Sequence, residues 1–360
     1  MKLTFLAAFV VAVCTNVFAA RSSFDGNATD DIVFQHTDGR IAMWLMNGLS
    51  LTAGATILGS CSGFGITHTG DLNGDGTSDL IFRHVDGRVA AWTMNGLNVT
   101  SAATLLSANS GWSVMAVGDL NGDGKADLVW QNIDGRVAVW LMNGVLTLSS
   151  TDILAAGTGF KATHVSDFNG DGKADILFQH PDGRMAIWLM NGTTVLSQAS
   201  ILGAGGGWMV AGTPDLNGDG KADIVFVNGN GNVAAWLMDG TTMTSGVQLF
   251  GPGTGWVVTR TGDFNGDGKG DLFWQHSDGR AAIWLMNGLT PISQVQVLGA
   301  GLGWTAKRIG DLNGDGKADI VWQNVDGRVA IWLMDGTVVT VGADVLGAGS
   351  GYAVLPSGQQ

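Results

Sequence analysis

GDLNGDGKADIVWQNVDGRVAIWLMDG, residues 310–336, places Asp311, Asn313, Asp315 and Asp319 within nine positions and then runs straight into apolar sequence. Carboxylates this close repel one another in an ordinary loop. The stretch is one copy of a repeat. DLNGDGTSD begins at Asp71, DLNGDGKAD at Asp119, DFNGDGKAD at Asp167, DLNGDGKAD at Asp215 and DFNGDGKGD at Asp263, each 48 residues after the last with no insertion or deletion. A worn copy, SFDGNATDD, begins at Ser23. A fixed period of this length marks a ring or array of one supersecondary unit, so the unit is the thing to read.

Take the copy from Gly111 to Gly157. GWSVMAVG reads as a strand, the acid loop follows, and LVWQN is a second short run of aromatic and branched residues. Asp134-Gly135 then predicts a two-residue type I′ hairpin, RVAVWLM a third strand, Asn143-Gly144 another tight turn, and VLTLSSTDIL a fourth strand. The third strand is apolar on both faces, with Val137, Val139 and Leu141 on one and Ala138, Trp140 and Met142 on the other. Such a sheet must be covered on both sides, and the neighbouring units are the available cover. The Trp of AxWxM, as in Trp140, is expected in the core.

Four-stranded antiparallel sheets stacked face to face around an axis make a β-propeller. Seven units of 48 residues fill the segment Ser23–Gly358, and the ends are complementary. The first unit begins at its acid loop without a first strand, while the chain ends on GYAVLPSG, 351–358, a first strand with no loop after it. The C-terminal strand is therefore expected to complete the N-terminal blade and close the ring, removing an open edge. An open β-solenoid is the alternative, but it gives no reason for matching half-units.

Residues 1–19 have a lysine, an apolar run from Leu3 to Val13 and small residues near Ala19, the pattern of a secretory signal peptide. Residues 20–360 then form a single exported seven-bladed domain, with no segment long and apolar enough to span a bilayer. All 31 acidic residues are Asp, and Gly supplies 57 of 360 positions against 5 Pro, which suits many tight turns around a core. Beyond Cys14 the only cysteine is Cys61, so no internal disulfide braces the domain, and Cys61 stands where other units carry Gly or Asn.

The loop DxNGDGxxD offers side-chain oxygen at positions 1, 3, 5 and 9 and a backbone carbonyl at position 7. The predicted ligands are Asp71, Asn73, Asp75, Thr77 and Asp79; Asp119, Asn121, Asp123, Lys125 and Asp127; Asp167, Asn169, Asp171, Lys173 and Asp175; Asp215, Asn217, Asp219, Lys221 and Asp223; Asp263, Asn265, Asp267, Lys269 and Asp271; and Asp311, Asn313, Asp315, Lys317 and Asp319. An all-oxygen set with three carboxylates selects a hard cation, Ca²⁺ better than Mg²⁺. An EF-hand would carry Glu at position 12 and flanking helices; here position 12 is Phe82 or Trp130 and the flanks are strands. The alternative is an Asx-rich turn without metal. The formal charge of −13 fits cation sites and argues against nucleic acid as partner.

These loops, the period and the strand content resemble the FG-GAP/VCBS repeat family of calcium-binding β-propellers, which is similar to the integrin α-subunit head and includes seven-bladed lectins. The resemblance implies about six Ca²⁺ sites and a secreted binding module. The first unit departs from the motif, since Ser23, Asp25, Asn27 and Asp31 leave a weaker ligand set and Asn27-Ala28-Thr29 is also a glycosylation sequon, as are those at Asn98 and Asn191.

Propeller connectivity puts the acid loops and Asn-Gly turns on one face and the DGR turns and GAGxGW connections on the other. That second face gathers Asp38 and Arg40, Asp86 and Arg88, Asp134 and Arg136, Asp182 and Arg184, Asp278 and Arg280, and Asp326 and Arg328. Aromatics follow glycine at Phe64, Trp112, Phe160, Trp208, Trp256, Trp304 and Tyr352. Carboxylate, guanidinium and ring are what a glycan site needs. The bland alternative is that Asp-Gly is the hairpin, Arg pairs with a neighbouring blade and the ring is core. The fifth unit reads VNGNGNVAAW, with Val227, Asn230 and Asn232 in place of Gln, Asp and Arg. No unit has an insertion and there is no Glu, so no enzyme is expected; polysaccharide cleavage, which related propellers imply, is the runner-up. The expectation is a multivalent lectin, with a protein adhesion scaffold as the rival.

Overall fold

The computed structural model describes residues 22–355, and the predicted signal peptide and the end of the closing strand, 356–358, lie outside that range. Seven four-stranded antiparallel sheets, numbered here as blades 1 to 7, follow one another around a ring. In blade 3 the strands are Trp112–Gly118, Asp127–Asn132, Val137–Asn143 and Leu146–Leu154. Blade 1 is assembled from both ends of the described chain, its inner strand being Tyr352–Val354 paired with Ile32–His36. The expected closure is therefore present, and it extends one residue further through the Leu355 N–H donated to the Val33 carbonyl. No helix occurs among the described residues, and none is long and apolar enough to cross a membrane.

The two-sided apolar third strand explains the stacking. Val129, Val137 and Val139 of blade 3 pack on Ala162, Val165 and Ile176 of blade 4, while Trp130, Ala138 and Met142 face Ile81, Val89 and Ala91 of blade 2. One strand thus contributes to two cores, and the alternation of its side chains decides which. Trp140 is half-buried with its ring 4.8 Å from that of Trp130. The outermost strands, such as Leu146–Leu154, are exposed along most of their length.

The Asp134-Gly135 turn differs from the predicted type. A type I′ turn needs two residues at positive φ. Only Gly135 (φ 95°) has it in the DGR turn, and the Asn132–Arg136 and Gly135–Asn132 backbone hydrogen bonds close a three-residue loop with glycine at its left-handed position. In the Asn-Gly turn, Asn143 ends the strand opposite Leu146, and Gly144 (φ 62°) is the first of two turn residues, as a type II′ turn requires. Glycine is placed by φ in both, but the partner residue is a strand or type I position.

Candidate functional site: two faces of the ring

On the first face the acid loops close on themselves. Asp71 Oδ1 accepts the N–H groups of Gly74 (2.7 Å) and Asp75 (3.2 Å), Oδ2 accepts that of Gly76 (2.8 Å), and Asp75 Oδ1 accepts that of Thr77 (2.8 Å). The ladder recurs in the loops from Asp119, Asp167, Asp215, Asp263 and Asp311. The ninth residue ties the loop to its blade. Asp79 is fully buried, and its two oxygens accept Leu72 N–H (2.9 Å) and Met94 N–H (2.8 Å), which pins the loop to the third strand of its own blade. Asp127, Asp175, Asp223, Asp271 and Asp319 do the same, and so does Asp31 in the worn first copy. Burial pushes the Asp79 carboxyl up to about 7; its two N–H donors oppose the shift, and the nearby Asp71 and Asp75 charges add to it.

The loops also brace the ring. The N–H of position 8 in each loop donates to the carbonyl of position 1 in the preceding blade's loop, as Ala126 does to Asp71 and Asp30 to Asp311, seven times at 2.6–2.7 Å. The glycine of each Asn-Gly or Asp-Gly turn after the third strand makes a second set of seven to loop position 2, for example Gly144 N–H to Leu72 O, at 2.6–2.8 Å. Lysine at position 7 reaches outward to the turn after the third strand of its blade, which is Asp-Gly in blades 5 and 7, Lys221 to Asp239 and Lys317 to Asp335, each at 2.6 Å.

The donor set fits a hard cation in kind and order: three carboxylates, an amide oxygen and a carbonyl per loop. As arranged, however, the oxygens turn to backbone N–H groups, and among the described residues no three His, Cys, Asp or Glu side chains converge on one point. The first loop departs further, since Ser23 and Asn27 replace the carboxylates of positions 1 and 5, although Asn27 Oδ1 accepts the Thr29 N–H (2.7 Å) as Asp75 accepts that of Thr77.

The second face carries the DGR turns. Arg136 donates its backbone N–H and its Nε to Asp134, and its guanidinium carbon lies 5.3 Å from the centre of the Trp112 ring. The same couple recurs in six blades: Arg40 over Tyr352, Arg88 over Phe64, Arg184 over Phe160, Arg280 over Trp256 and Arg328 over Trp304, at 5.2–5.9 Å. Arginine therefore pairs within its own blade, and not across to a neighbour as the bland reading had it. The Arg280 guanidinium, first among several donors, holds the Asp278 carboxyl down at about 2. His36, His84, His180 and His276 each bring Nδ1 to the turn carboxylate at 2.7–2.8 Å.

Contact between blades on this face comes from a residue the sequence reading passed over. Gln131 Nε2 donates to the Phe160 carbonyl of the next blade (2.8 Å), Gln179 to Trp208 (2.9 Å), Gln275 to Trp304 (3.1 Å), Gln323 to Tyr352 (2.7 Å) and Gln35 to Phe64 (3.5 Å). Arg83 takes this part in blade 2, reaching the Trp112 carbonyl at 2.8 Å. Blade 5 alone has an apolar residue there, Val227, packed into the core with Trp256. Recurrence of Gln before His or Asn in five units is the sequence signal for this tie. Between these ties lie clefts; the one between blades 4 and 5 measures about 660 Å³ and that between blades 3 and 4 about 550 Å³.

Among solved structures, the chain is similar in fold to the BBS1 N-terminal domain in complex with ARL6 (11% identity, TM-score 0.50, covering 90% of this chain and 94% of that one). The C-terminal WD40 domain of Sif2 (12%, 0.49, 87% and 79%) and BamB from Moraxella catarrhalis (15%, 0.45, 88% and 88%) also align. No curated protein matches. The FG-GAP-like repeat description matches at residues 71–130, 119–178, 167–226, 215–274 and 263–322, together more than half of the chain. With seven blades, one acid loop per blade and five overlapping matches, the chain belongs to the FG-GAP-like repeat family.

Proposed function

We propose that this chain is an exported, non-catalytic, multivalent binding module, a lectin whose DGR face takes glycans and whose acid loops take Ca²⁺. The observation that carries the reading is the repetition of one Asp–Arg–aromatic couple in six blades, two of whose turns, at Asp134 and Asp182, line inter-blade clefts. In each couple the arginine Nε is used by Asp, which leaves guanidinium N–H groups and carboxylate lone pairs to meet sugar hydroxyls. Weak sites repeated around one rim gain avidity on a surface that displays many copies of the ligand. Blade 5, with Asn230 and Asn232, lacks this couple, so its site is silent toward sugar. A glycan array run with and without calcium tests the reading. Arg136→Ala and Arg328→Ala should weaken binding to dense glycan surfaces, and normal binding by these variants would remove the lectin assignment.

Calcium would be held by the side chains at loop positions 1, 3, 5 and 9 and the carbonyl at 7, and would supply the positive charge that those carboxylates otherwise lack. Binding to the folded chain alone stabilises it by about 3 kcal/mol per site when free calcium is a hundredfold above Kd. Chelator should lower the melting temperature of the wild type more than that of Asp123→Ala; an unchanged wild-type melt rules calcium out.

A protein-binding scaffold is the second reading, favoured by apolar tips on the same face. Val85, Ile133 and Val325 stand at 87%, 89% and 88% exposure at the ends of the DGR turns. Loss of partner capture on changing these three to Ser, with no glycan bound by the wild type, selects it.

A further inference from the structure

Blade 5 breaks the symmetry of the second face in a way that opens a different kind of site. Asn232 stands where the other blades place arginine and turns to Asn228 Oδ1 at 3.1 Å, so the Trp208 ring carries no guanidinium. The Gly205-Gly206-Gly207 run permits the ring's position, because a Cβ on Gly206 would lie 2.5 Å from Trp208 Cδ1. Trp208 and Met209 form one wall of the cleft between blades 4 and 5, and Met115 reaches in from blade 3.

His164, on the inner strand of blade 4, also lines this cleft. It is fully buried, and neither ring nitrogen has a hydrogen-bond partner, which is unusual for a buried polar group. The neighbouring cleft shares Met115 but lacks the other features. There Lys161 takes the place of Met209 and Ala116 the place of His164. Lys161 also lines the larger cleft, and because it is exposed, solvent and salt screen its charge.

We propose that the cleft between blades 4 and 5 binds one neutral aryl-hydroxyl molecule, its ring against Trp208, Met209 and Met115, with the His164 imidazole turning from its buried seat into the cleft to meet the hydroxyl. A hydroxyl both donates and accepts, so it satisfies a neutral imidazole in either tautomer. Burial holds His164 neutral, pushing its pKa down to about 3. A charged group would exchange water for an apolar wall without a buried countercharge. At about 660 Å³ the cleft lies within the range of small-molecule sites and accommodates a bicyclic ring.

The test is calorimetric titration of 2-naphthol and of 2-naphthoate into the full chain. One 2-naphthol per chain is expected, bound at least tenfold more weakly by His164→Ala and by Met209→Lys, while Gln275→Ala, at the tie between blades 6 and 7, binds as wild type. Melting curves establish that each variant folds, and Met209→Lys keeps the test open if His164→Ala does not. Several naphthols per chain, equal affinity in both cleft variants, tighter binding of 2-naphthoate or no binding at all overturns the proposal. The outcome is independent of glycan binding, which Arg136→Ala and Arg328→Ala report from other blades.

Discussion

Replacing Asp30 by Ala should unfasten the ring at the junction of its two ends. Asp30 occupies position 8 of the first loop, where other units carry Ala, Ser or Gly, and it meets Arg308 of blade 7 with Oδ2 3.5 Å from Nη2. Both residues are buried, at 1% and 2% exposure, and Asp30 Oδ1 also accepts the Ser22 N–H at 2.7 Å. Burial raises the Asp30 carboxyl above its usual range and the Arg308 charge opposes that rise, so each charge here depends on the other. Gly310 makes the approach possible, since a Cβ there would fall on Asp30 Oδ2 at 1.8 Å. Removing one member of a buried pair costs about 3–5 kcal/mol, because the remaining charge has no partner and little water. Replacing both with apolar side chains is often neutral, and the equivalent positions between blades 3 and 4 are already Ala174 and Ala116. Urea unfolding of wild type, Asp30→Ala, Arg308→Ala and the double variant gives the cycle. Each single change should lose about 3 kcal/mol or more and the double most of that loss again recovered. A single-variant loss under about 1 kcal/mol, or a double variant no more stable than Asp30→Ala, refutes the clasp.

Other measurements probe separate parts of the architecture. Cys61 has φ 60° at a position held elsewhere by Asn109 (φ 58°) and by glycines, so Cys61→Gly should raise stability by about 1 kcal/mol, and a lower melting temperature contradicts this. Gln131→Val copies Val227 and removes the 2.8 Å tie to the Phe160 carbonyl; a loss of about 1 kcal/mol is expected, and no loss would show that the tie adds nothing. His164 is depressed to about 3 when folded and returns to about 6.5 when unfolded, so its contribution is present above pH 6.5 and drains away as pH falls. Between pH 7.5 and 5 the wild type should therefore lose about 2 kcal/mol relative to His164→Ala, and parallel pH profiles would contradict the assignment.

The period, the blade and the ring were legible in the sequence because they rest on local and repeated signals. Alternation along Val137–Met142 dictates a strand buried on both sides, Gly135 and Gly144 mark the turns, and seven exact periods with complementary ends leave closure as the outcome. The order of strands within each blade follows from short connections alone, and it sets the acid loops on one face and the DGR turns on the other. Turn type was misread at Asp134-Gly135, because a two-residue hairpin and a three-residue loop with glycine in its left-handed position share the same dipeptide.

Contacts between blades belong to tertiary structure, since they join residues 29, 55 or 278 positions apart whose pairing no local pattern encodes. Gln131 and Phe160 meet only when two sheets stack, and Asp30 meets Arg308 only when the ring closes. The acid loop shows the division most plainly. Sequence fixes which oxygens it offers, but packing aims Asp79 into the blade toward Leu72 and Met94 and leaves Asp71 and Asp75 turned to the loop's own N–H groups. Covalent order can specify a donor set, whereas the direction in which each donor points is decided by which backbone groups folding leaves in need of a partner.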